Sequence, residues 1–389
     1  MVVTGFPCPG DAVTGVFNLR AARALSDYAR VSVVHLRSWR PGRPFVRAAE
    51  LESLRVWTLA VPQVPALPKL SLRIYENLSG GLVRALLDDC DVIHSVGIAF
   101  AGIVGANWSR IARKHHVTQI TSEVELDAER FAFTPDRLRY VHGVACNSES
   151  LATRFRALCP GARNVRAVFR GVDLRRFSPN GSCRDESGVR FLFLGGFPEY
   201  GDLRFGRNTK GGETLLAAWQ SAEADLVSMS ARLVISGPRS NDESVRRWRA
   251  ALRHPENVSI IGNVAPDEVA AHMRKADAVL VPSLQEGFPN VALEAAACAR
   301  AVLASNLDQM AELVIDGETG TLVPAGNAQA WASALLRCAQ NRERLNAIGR
   351  TARERAERFF DAKMYPEKML ELYRAAQQEP IEGGMPNSG

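Results

Sequence analysis

At 389 residues the chain has room for two domains of ordinary size, each with its own core. Apolar residues make up 46% and charged residues 23%, which excludes a disordered, collagen-like or fibrous protein, and a mean hydropathy of -0.10 excludes a polytopic membrane protein. The formal charge of +6 is uneven: residues 1–180 hold 24 basic against 15 acidic side chains and the rest 24 against 27, so the front half favours an acidic partner or surface.

The opening Met-Val-Val-Thr-Gly-Phe-Pro carries no charged leader and no cleavage site, so no secretory signal is expected. Seven cysteines without a C-x-x-C pair or a histidine at zinc-ligand spacing predict neither a disulfide framework nor structural zinc, and a cytoplasmic location follows as the expectation. Val16, Leu19, Ala24, Leu25 and Tyr28 recur at helical spacing over 15–30. Short apolar, β-branched runs then predict strands over 31–36, 55–61, 92–96, 118–121, 143–146 and 165–169. The uncharged stretch 92–109 approaches the ~20 residues of a membrane span. It contains His94, Ser95, Asn107 and three glycines, and so reads as a strand, a turn and the start of a helix.

A polar, turn-rich segment over 178–188 predicts the linker. The same grammar restarts behind it, with strands over 190–194, 231–236, 258–261, 278–281, 301–304 and 320–323. A helix over 213–220 follows the first of these, and helices over 342–360 and 364–378 close the chain before a fraying tail at 379–389. Strands alternating with helices predict an α/β class with two doubly wound parallel sheets facing a cleft. The expected domains are 1–180 and 181–360.

The chemistry concentrates in Ser283-Leu-Gln-Glu-Gly-Phe-Pro-Asn-Val-Ala-Leu-Glu-Ala-Ala-Ala297. A strand ending at Val281, a short loop and a helix beginning near Asn290 offer backbone N–H groups and the positive end of a helix dipole to a diphosphate. Glu286 and Glu294 bracket that loop, placed for a sugar hydroxyl and a ribose; the alternative is a loop carboxylate and a helix-surface one. Upstream, Phe191-Leu-Phe-Leu-Gly195-Gly196-Phe-Pro, followed by Arg204, Arg207 and Lys210-Gly-Gly, is a second strand-to-basic-loop anion cradle, or else a solvated basic loop. By the rule for open parallel sheets both loops face one crevice.

These segments, with Val314-Ile-Asp-Gly-Glu-Thr-Gly-Thr-Leu-Val-Pro and Arg170-Gly-Val-Asp-Leu-Arg-Arg-Phe-Ser-Pro, closely resemble the retaining glycosyltransferases of the GT-B fold, group 1 or family 4 type. The resemblance implies two Rossmann-like domains, the first binding the acceptor and the second the nucleotide sugar, with a C-terminal helix over 361–378 returning to the first. Glu286 would contact the donor sugar, the backbone around Gly287, Phe288, Pro289 and Asn290 the diphosphate or sugar, and Glu294 the ribose. Lys210 with Arg204 or Arg207 would neutralise the diphosphate, beside Gly195 and Gly196. Thr14-Gly15 would border the acceptor. Two departures stand out: Gly196 and Phe197 occupy the place of the family arginine, and Glu123, with Glu125 and Asp127 behind it, stands where the family has a histidine, unless these acids only cap the next helix.

What the resemblance implies is a retaining hexosyltransferase of polysaccharide, glycolipid or natural-product assembly, with a nucleotide-sugar donor, a glycan, lipid-linked or small-molecule acceptor, and neither metal nor other cofactor. Arg37, Arg40, Arg43 and Arg47 with Trp39 and Phe45 suit peripheral contact with an anionic membrane, or an ordinary solvated loop. No nucleic-acid motif accompanies the charge. Asp89-Cys-Asp91 has the form of a metal-diphosphate string but precedes its strand. His94, His115 and His116 read as surface and strand-end residues. The absence of G-x-G and of Gly-Lys disfavours a dehydrogenase or a P-loop enzyme. The competing functions are an epimerase of the same fold, using Glu123, Asp127 and His94, and a non-catalytic sugar-binding protein.

Overall fold

The computed structural model describes residues 1–8, 15–39, 44–62, 74, 83–127, 134–180, 188–195, 209–237 and 243–381. They form two units, Met1–Arg170 with Lys363–Gly389, and Gly171–Ala362.

In the front unit β1 (Val2–Val3), β2 (Ser32–Ser38), β3 (Val46–Leu51), β4 (Leu54–Val61), β5 (Val92–Val96), β6 (His115–Ile120), β7 (Gly143–Cys146) and β8 (Val165–Ala167) lie in the order β3-β4-β2-β1-β5-β6-β7-β8. All neighbours are parallel except the antiparallel pair β3 and β4. The helices are α1 (Val16–Ser26), α2 (Arg84–Asp88), α3 (Phe100–Ala112), α4 (Pro135–Leu138) and α5 (Glu149–Leu158). Ser148 starts α5 by accepting from the Leu151 N–H, the usual N-cap. Strand β3 was not expected because Val-Arg-Ala-Ala-Glu-Leu is neither apolar nor alternating; its middle residues are exposed, and backbone pairing to β4 alone defines it.

The back unit contains β9 (Arg190–Phe193), β10 (Arg232–Ser236), β11 (Val258–Ile261), β12 (Ala278–Val281), β13 (Ala301–Ser305) and β14 (Thr321–Val323), all parallel, in the order β11-β10-β9-β12-β13-β14. Every residue of β12 and β13 is buried, as expected of strands covered on both faces. The helices are α6 (Gly212–Ser228), α7 (Glu243–Ala250), α8 (Val269–Lys275), α9 (Asn290–Ala297), α10 (Asp308–Leu313), α11 (Ala328–Gln340) and α12 (Arg342–Phe359). Trp219, Trp248 and Trp331 are fully buried in one core with Phe191, Phe193 and Leu303. Asp277, also buried, accepts from the Arg190 N–H at 2.9 Å and from Arg342 Nε at 2.9 Å, so one carboxylate ties β9, the start of β12 and the first residue of α12 together.

The chain leaves the front unit at Arg170, earlier than the expected boundary at 180. Val172 donates to the Phe360 carbonyl at 2.8 Å and accepts from the Ala362 N–H at 3.0 Å. Phe177 is buried, and its carbonyl accepts from Arg353 Nη1 at 2.7 Å. Of the expected linker, residues 181–187 lie outside the described residues. The chain then returns to the front unit as α13 (Met364–Gln377), whose Tyr365, Met369, Leu372 and Ala376 are buried with Ala21, Leu25, Val117 and Val168. Glu379, placed at the head of a fraying tail by its sequence, is held by Asn164 Nδ2 at 3.1 Å and Arg163 Nη1 at 3.5 Å. No helix among the described residues is long and apolar enough to cross a membrane.

The histidines correct the sequence expectation. His94 and His116 lie on β5 and β6 in the interior, and His142, just ahead of β7, is equally buried. Tyr373 Oη meets His94 Nδ1 at 2.8 Å, Ser95 Oγ meets His116 Nε2 at 2.8 Å, and His142 Nδ1 accepts from the His116 N–H at 3.1 Å. Burial pushes all three pKa values down, His116 to about 3, His142 to about 4 and His94 well below the usual value. Because the unfolded chain binds more protons than the folded one, this stability is complete above the unfolded value of about 6.5 and is lost as pH falls toward the folded values. Urea unfolding at pH 7 and pH 5 is expected to show a loss on the order of 2 kcal/mol or more; equal stability at both values refutes the assignment of neutral interior histidines.

Candidate functional site

Ligands of open parallel sheets bind outside the carboxyl ends of the strands where the strand order reverses. In the back sheet that point lies between β9 and β12, so the loops that follow these two strands form the site. The first loop enters at Gly195 and resumes at Thr209; Gly196, Phe197, Arg204 and Arg207 lie outside the described residues. Two backbone contacts then clamp it to the second loop. Leu284 N–H donates to the Thr209 carbonyl at 2.8 Å. Gly211, with φ 71°, caps α6 in the left-handed region, and a Cβ on it would stand 1.8 Å from the Pro282 carbonyl oxygen.

This clamp sets the side chains. Lys210 Nζ donates to Glu286 Oε1 at 2.8 Å, and Ser283 Oγ donates to the same oxygen at 2.7 Å. Glu286 Oε2 has no hydrogen-bond partner among the described residues. The Glu286 side chain is 11% exposed and that of Lys210 39% exposed, so the carboxylate is nearly covered while the ammonium reaches solvent. Gly195 belongs to the same constellation, since a Cβ on it would lie 3.2 Å from Lys210 Cβ. Gly287, Phe288 and Pro289 are buried, with the Phe288 ring 5.8 Å from that of Phe360. Asn290 opens α9 and donates its N–H to the Phe288 carbonyl at 2.9 Å. Glu294 lies one turn into α9, half-buried between buried neighbours. A shared cation and carboxylate beside a helix N-terminus is chemically suited to holding an anion and a hydroxyl side by side.

The front-unit candidates behave differently. Gly15, left-handed at φ 77°, caps α1 so closely that a Cβ would meet the Gly5 carbonyl at 2.3 Å; Thr14 lies outside the described residues. Glu123 begins a 3-10 turn (Glu123–Leu126) and pairs with Arg154 at 3.5 Å, and Asp127 reaches the same arginine at 4.0 Å. Glu125 is a structural acceptor. Its carboxylate takes the Ile98 N–H at 2.8 Å, the Thr121 N–H at 2.9 Å and the Thr121 hydroxyl. Among the described residues none of the three acids caps the next helix, which starts at Pro135.

Sequence reasoning missed Ser283, Arg154 and the environment of Arg170. Only Ser283 had a local signal, since it precedes Glu286 by one helical turn of sequence; Arg154 meets Glu123 solely through the fold. Trp39 and Phe45 stack at 5.4 Å near Arg37 and Arg47, whereas Arg40 and Arg43 lie outside the described residues. Asp89 pairs with Arg30 at 2.7 Å, and no group of three or more metal-binding side chains occurs among the described residues.

Residues 190–341, from β9 through α11, match the family described as Glycosyl transferases group 1. The D-inositol 3-phosphate glycosyltransferase of Rhodococcus opacus (strain B4) is 32% identical over 220 residues, covering 54% of this chain and 48% of the relative. The chain thus spans about half the length of the curated relatives it matches. Among solved structures, a sucrose-phosphate synthase from Thermosynechococcus elongatus superposes with a TM-score of 0.69 at 20% identity, covering 92% of both chains. Anabaena HepE in complex with UDP and glucose gives 0.66 at 18% identity, covering 95% of this chain and 97% of that one. These likenesses show the fold, two parallel α/β sheets of the GT-B type.

Gly211→Ala is expected to lower the unfolding free energy by about 2 kcal/mol or more, because a side chain there meets backbone in a left-handed conformation. Gly262→Ala, where nothing lies within 4 Å of the added carbon, is expected to be near neutral in the same denaturation series.

Proposed function

We propose, from the premise that residues 190–341 belong to the group 1 glycosyltransferases, that this chain transfers a hexose-type sugar from a nucleotide-diphosphate donor to an acceptor with retention of configuration. The observation that carries the reading is the Lys210–Glu286 pair at the β9/β12 switch point. Lys210 neutralises the diphosphate as charge develops on it, Glu286 Oε2 receives a sugar hydroxyl, and Glu294 receives the ribose. The bond from the anomeric carbon to the phosphate oxygen breaks, the acceptor oxygen bonds the same carbon from the same face, and its proton passes to the departing phosphate. Stabilising that leaving charge is the largest electrostatic contribution such a site makes.

HepE holds UDP and glucose in its structure, which makes a uridine diphosphate sugar the first donor to test. The acceptor belongs to polysaccharide, glycolipid or natural-product assembly, and the reaction is placed in the cytoplasm. The stacked Trp39 and Phe45 beside Arg37 and Arg47 support peripheral contact with an anionic membrane. The epimerase reading is weakened by the surroundings of its candidate groups: Glu123 and Asp127 face Arg154, and His94 is an interior neutral base joined to Tyr373.

Thermal unfolding with a panel of nucleoside diphosphates and nucleotide sugars, in EDTA and in Mg²⁺, tests the site. Wild type is expected to gain about 2.7 kcal/mol at a hundredfold excess over Kd, selectively for one base, and Glu294→Ala and Lys210→Ala are expected to lose the gain. Lys210→Ala is also expected to lower kcat by about 10²–10³. A wild type that no nucleotide sugar stabilises overturns the donor site and leaves the non-catalytic binding reading in its place.

A further inference from the structure

The loop that carries Glu286 is attached at both ends. At its front the Leu284 N–H is held by the Thr209 carbonyl, and Ser283 and Lys210 hold one oxygen of the carboxylate. At its rear the chain runs through Gly287, which has no side chain, to Phe288 and Pro289, and enters α9 at Asn290. Phe288 is 7% exposed, and its ring lies 5.8 Å from that of Phe360, inclined at 42°. Aromatic rings at this separation attract one another beyond the area they bury. The rear of the loop is therefore placed by a residue from the end of α12.

Phe360 is itself held from several sides. It follows the last turn of α12, is buried, and donates its N–H to the Ala356 carbonyl at 2.9 Å. Its own carbonyl accepts from the Val172 N–H. Gly171, left-handed at φ 69°, lets these two segments meet, since a Cβ on it would stand 2.7 Å from the Phe360 carbonyl oxygen. The Arg355 guanidinium lies over the rings of Phe359 and Phe360, 5.3 and 5.8 Å from their centroids, a favourable seat for a cation. It donates in turn to the Leu313 and Glu312 carbonyls at 2.9 and 2.7 Å, at the end of α10. The same helix supports the far end of α9, where Arg353 Nη1 donates to the Ala297 carbonyl. Thus α12 backs the loop and its helix at both ends, and Phe360 is the point at which it reaches the loop.

We propose that Phe360 is a positioning residue: its ring seats Phe288 and so fixes the rear of the loop 283–290, which keeps Glu286 in the direction where it meets a donor sugar. The seat stands on the back unit alone; the donor sugar rests on the glycosyltransferase reading above. A displacement on the order of 1 Å in a positioned group costs a reaction about a hundredfold. Lys210 takes its direction from the clamp at the front of the loop, and Glu294 sits inside α9, so both are less dependent on the seat. Phe360 therefore governs the sugar half of the donor and leaves the nucleotide half nearly untouched.

Full-length Phe360→Ala and Phe360→Leu are compared with Leu345→Ala, which opens a cavity in the back-unit core at the opposite end of α12. Hydrogen exchange at the amides of 287–293 is expected to rise about tenfold in Phe360→Ala and less in Phe360→Leu, with no selective rise there in Leu345→Ala. Calorimetric titration uses UDP and UDP-glucose as probes, or the corresponding pair of the base that the nucleotide panel selects. In Phe360→Ala the nucleotide sugar is expected to bind about tenfold more weakly and the nucleoside diphosphate within about twofold of wild type, with kcat lowered about tenfold or more. If Phe360→Ala does not fold, Phe360→Leu carries the same comparison with smaller changes of the same sign. Unaltered exchange at 287–293, or equal weakening of both ligands, overturns the positioning role. A wild type that binds no nucleotide sugar, with exchange at 287–293 still raised in the variants, overturns the glycosyltransferase reading and leaves the seat standing.

Discussion

The contact between Gly211 and the Pro282 carbonyl is the constraint on which the back-unit site depends. Only a residue without a side chain fits beneath that oxygen, and only in the left-handed region does the chain turn there from the loop into α6. The neighbouring bond from Leu284 to Thr209 completes a backbone clamp. Lys210 lies between the two clamped residues, so its direction toward Glu286 is fixed by main-chain geometry before any side-chain attraction acts. Ser283, on the other loop, fixes the same carboxylate oxygen. The ion pair is therefore a consequence of how two loops are joined, and its electrostatic energy is secondary to its placement.

The back sheet was largely legible in the sequence. Strands covered on both faces must be apolar along their whole length, and β12 was delimited to the residue because polar turns bound it. Strand β3 was not legible, since it is an exposed edge defined by pairing to a partner. The interior histidines misled for a related reason: a polar residue in a short strand reads as a strand end, and only the tertiary partners Tyr373 and Ser95 make it an interior one. Glu286, Glu294 and Lys210 were legible as a motif. Their geometry was not, because Lys210 and Glu286 meet across two separate loops, and Arg154 and Arg170 find their partners through contacts that no local spacing encodes.

The two units handle charge in contrasting ways. In the back unit, interior acids are held by specific donors: Asp277 by Arg342, Glu286 by Lys210, and Glu223 by the Arg253 and His254 N–H groups. In the front unit the interior polar groups are mostly neutral, namely histidines, amides and hydroxyls, and Arg170 is set among them. Interior histidines that must remain uncharged begin to lose their stabilising effect near about pH 6.5, whereas carboxylates held by donors do so only as they protonate at lower pH. Mild acid is thus felt first by the front half of the molecule.

The return of α13 has a consequence for how the chain is made. Residues 171–362 form a contiguous unit that contains every strand it needs once it leaves the ribosome. The front unit, although synthesised first, keeps the face later covered by Tyr365, Met369 and Leu372 open until the last helix emerges. Completion of the two halves therefore runs opposite to their order of synthesis: the nascent N-terminal half waits as an unfinished sheet, the species most exposed to chaperones and to aggregation, while the younger half closes ahead of it.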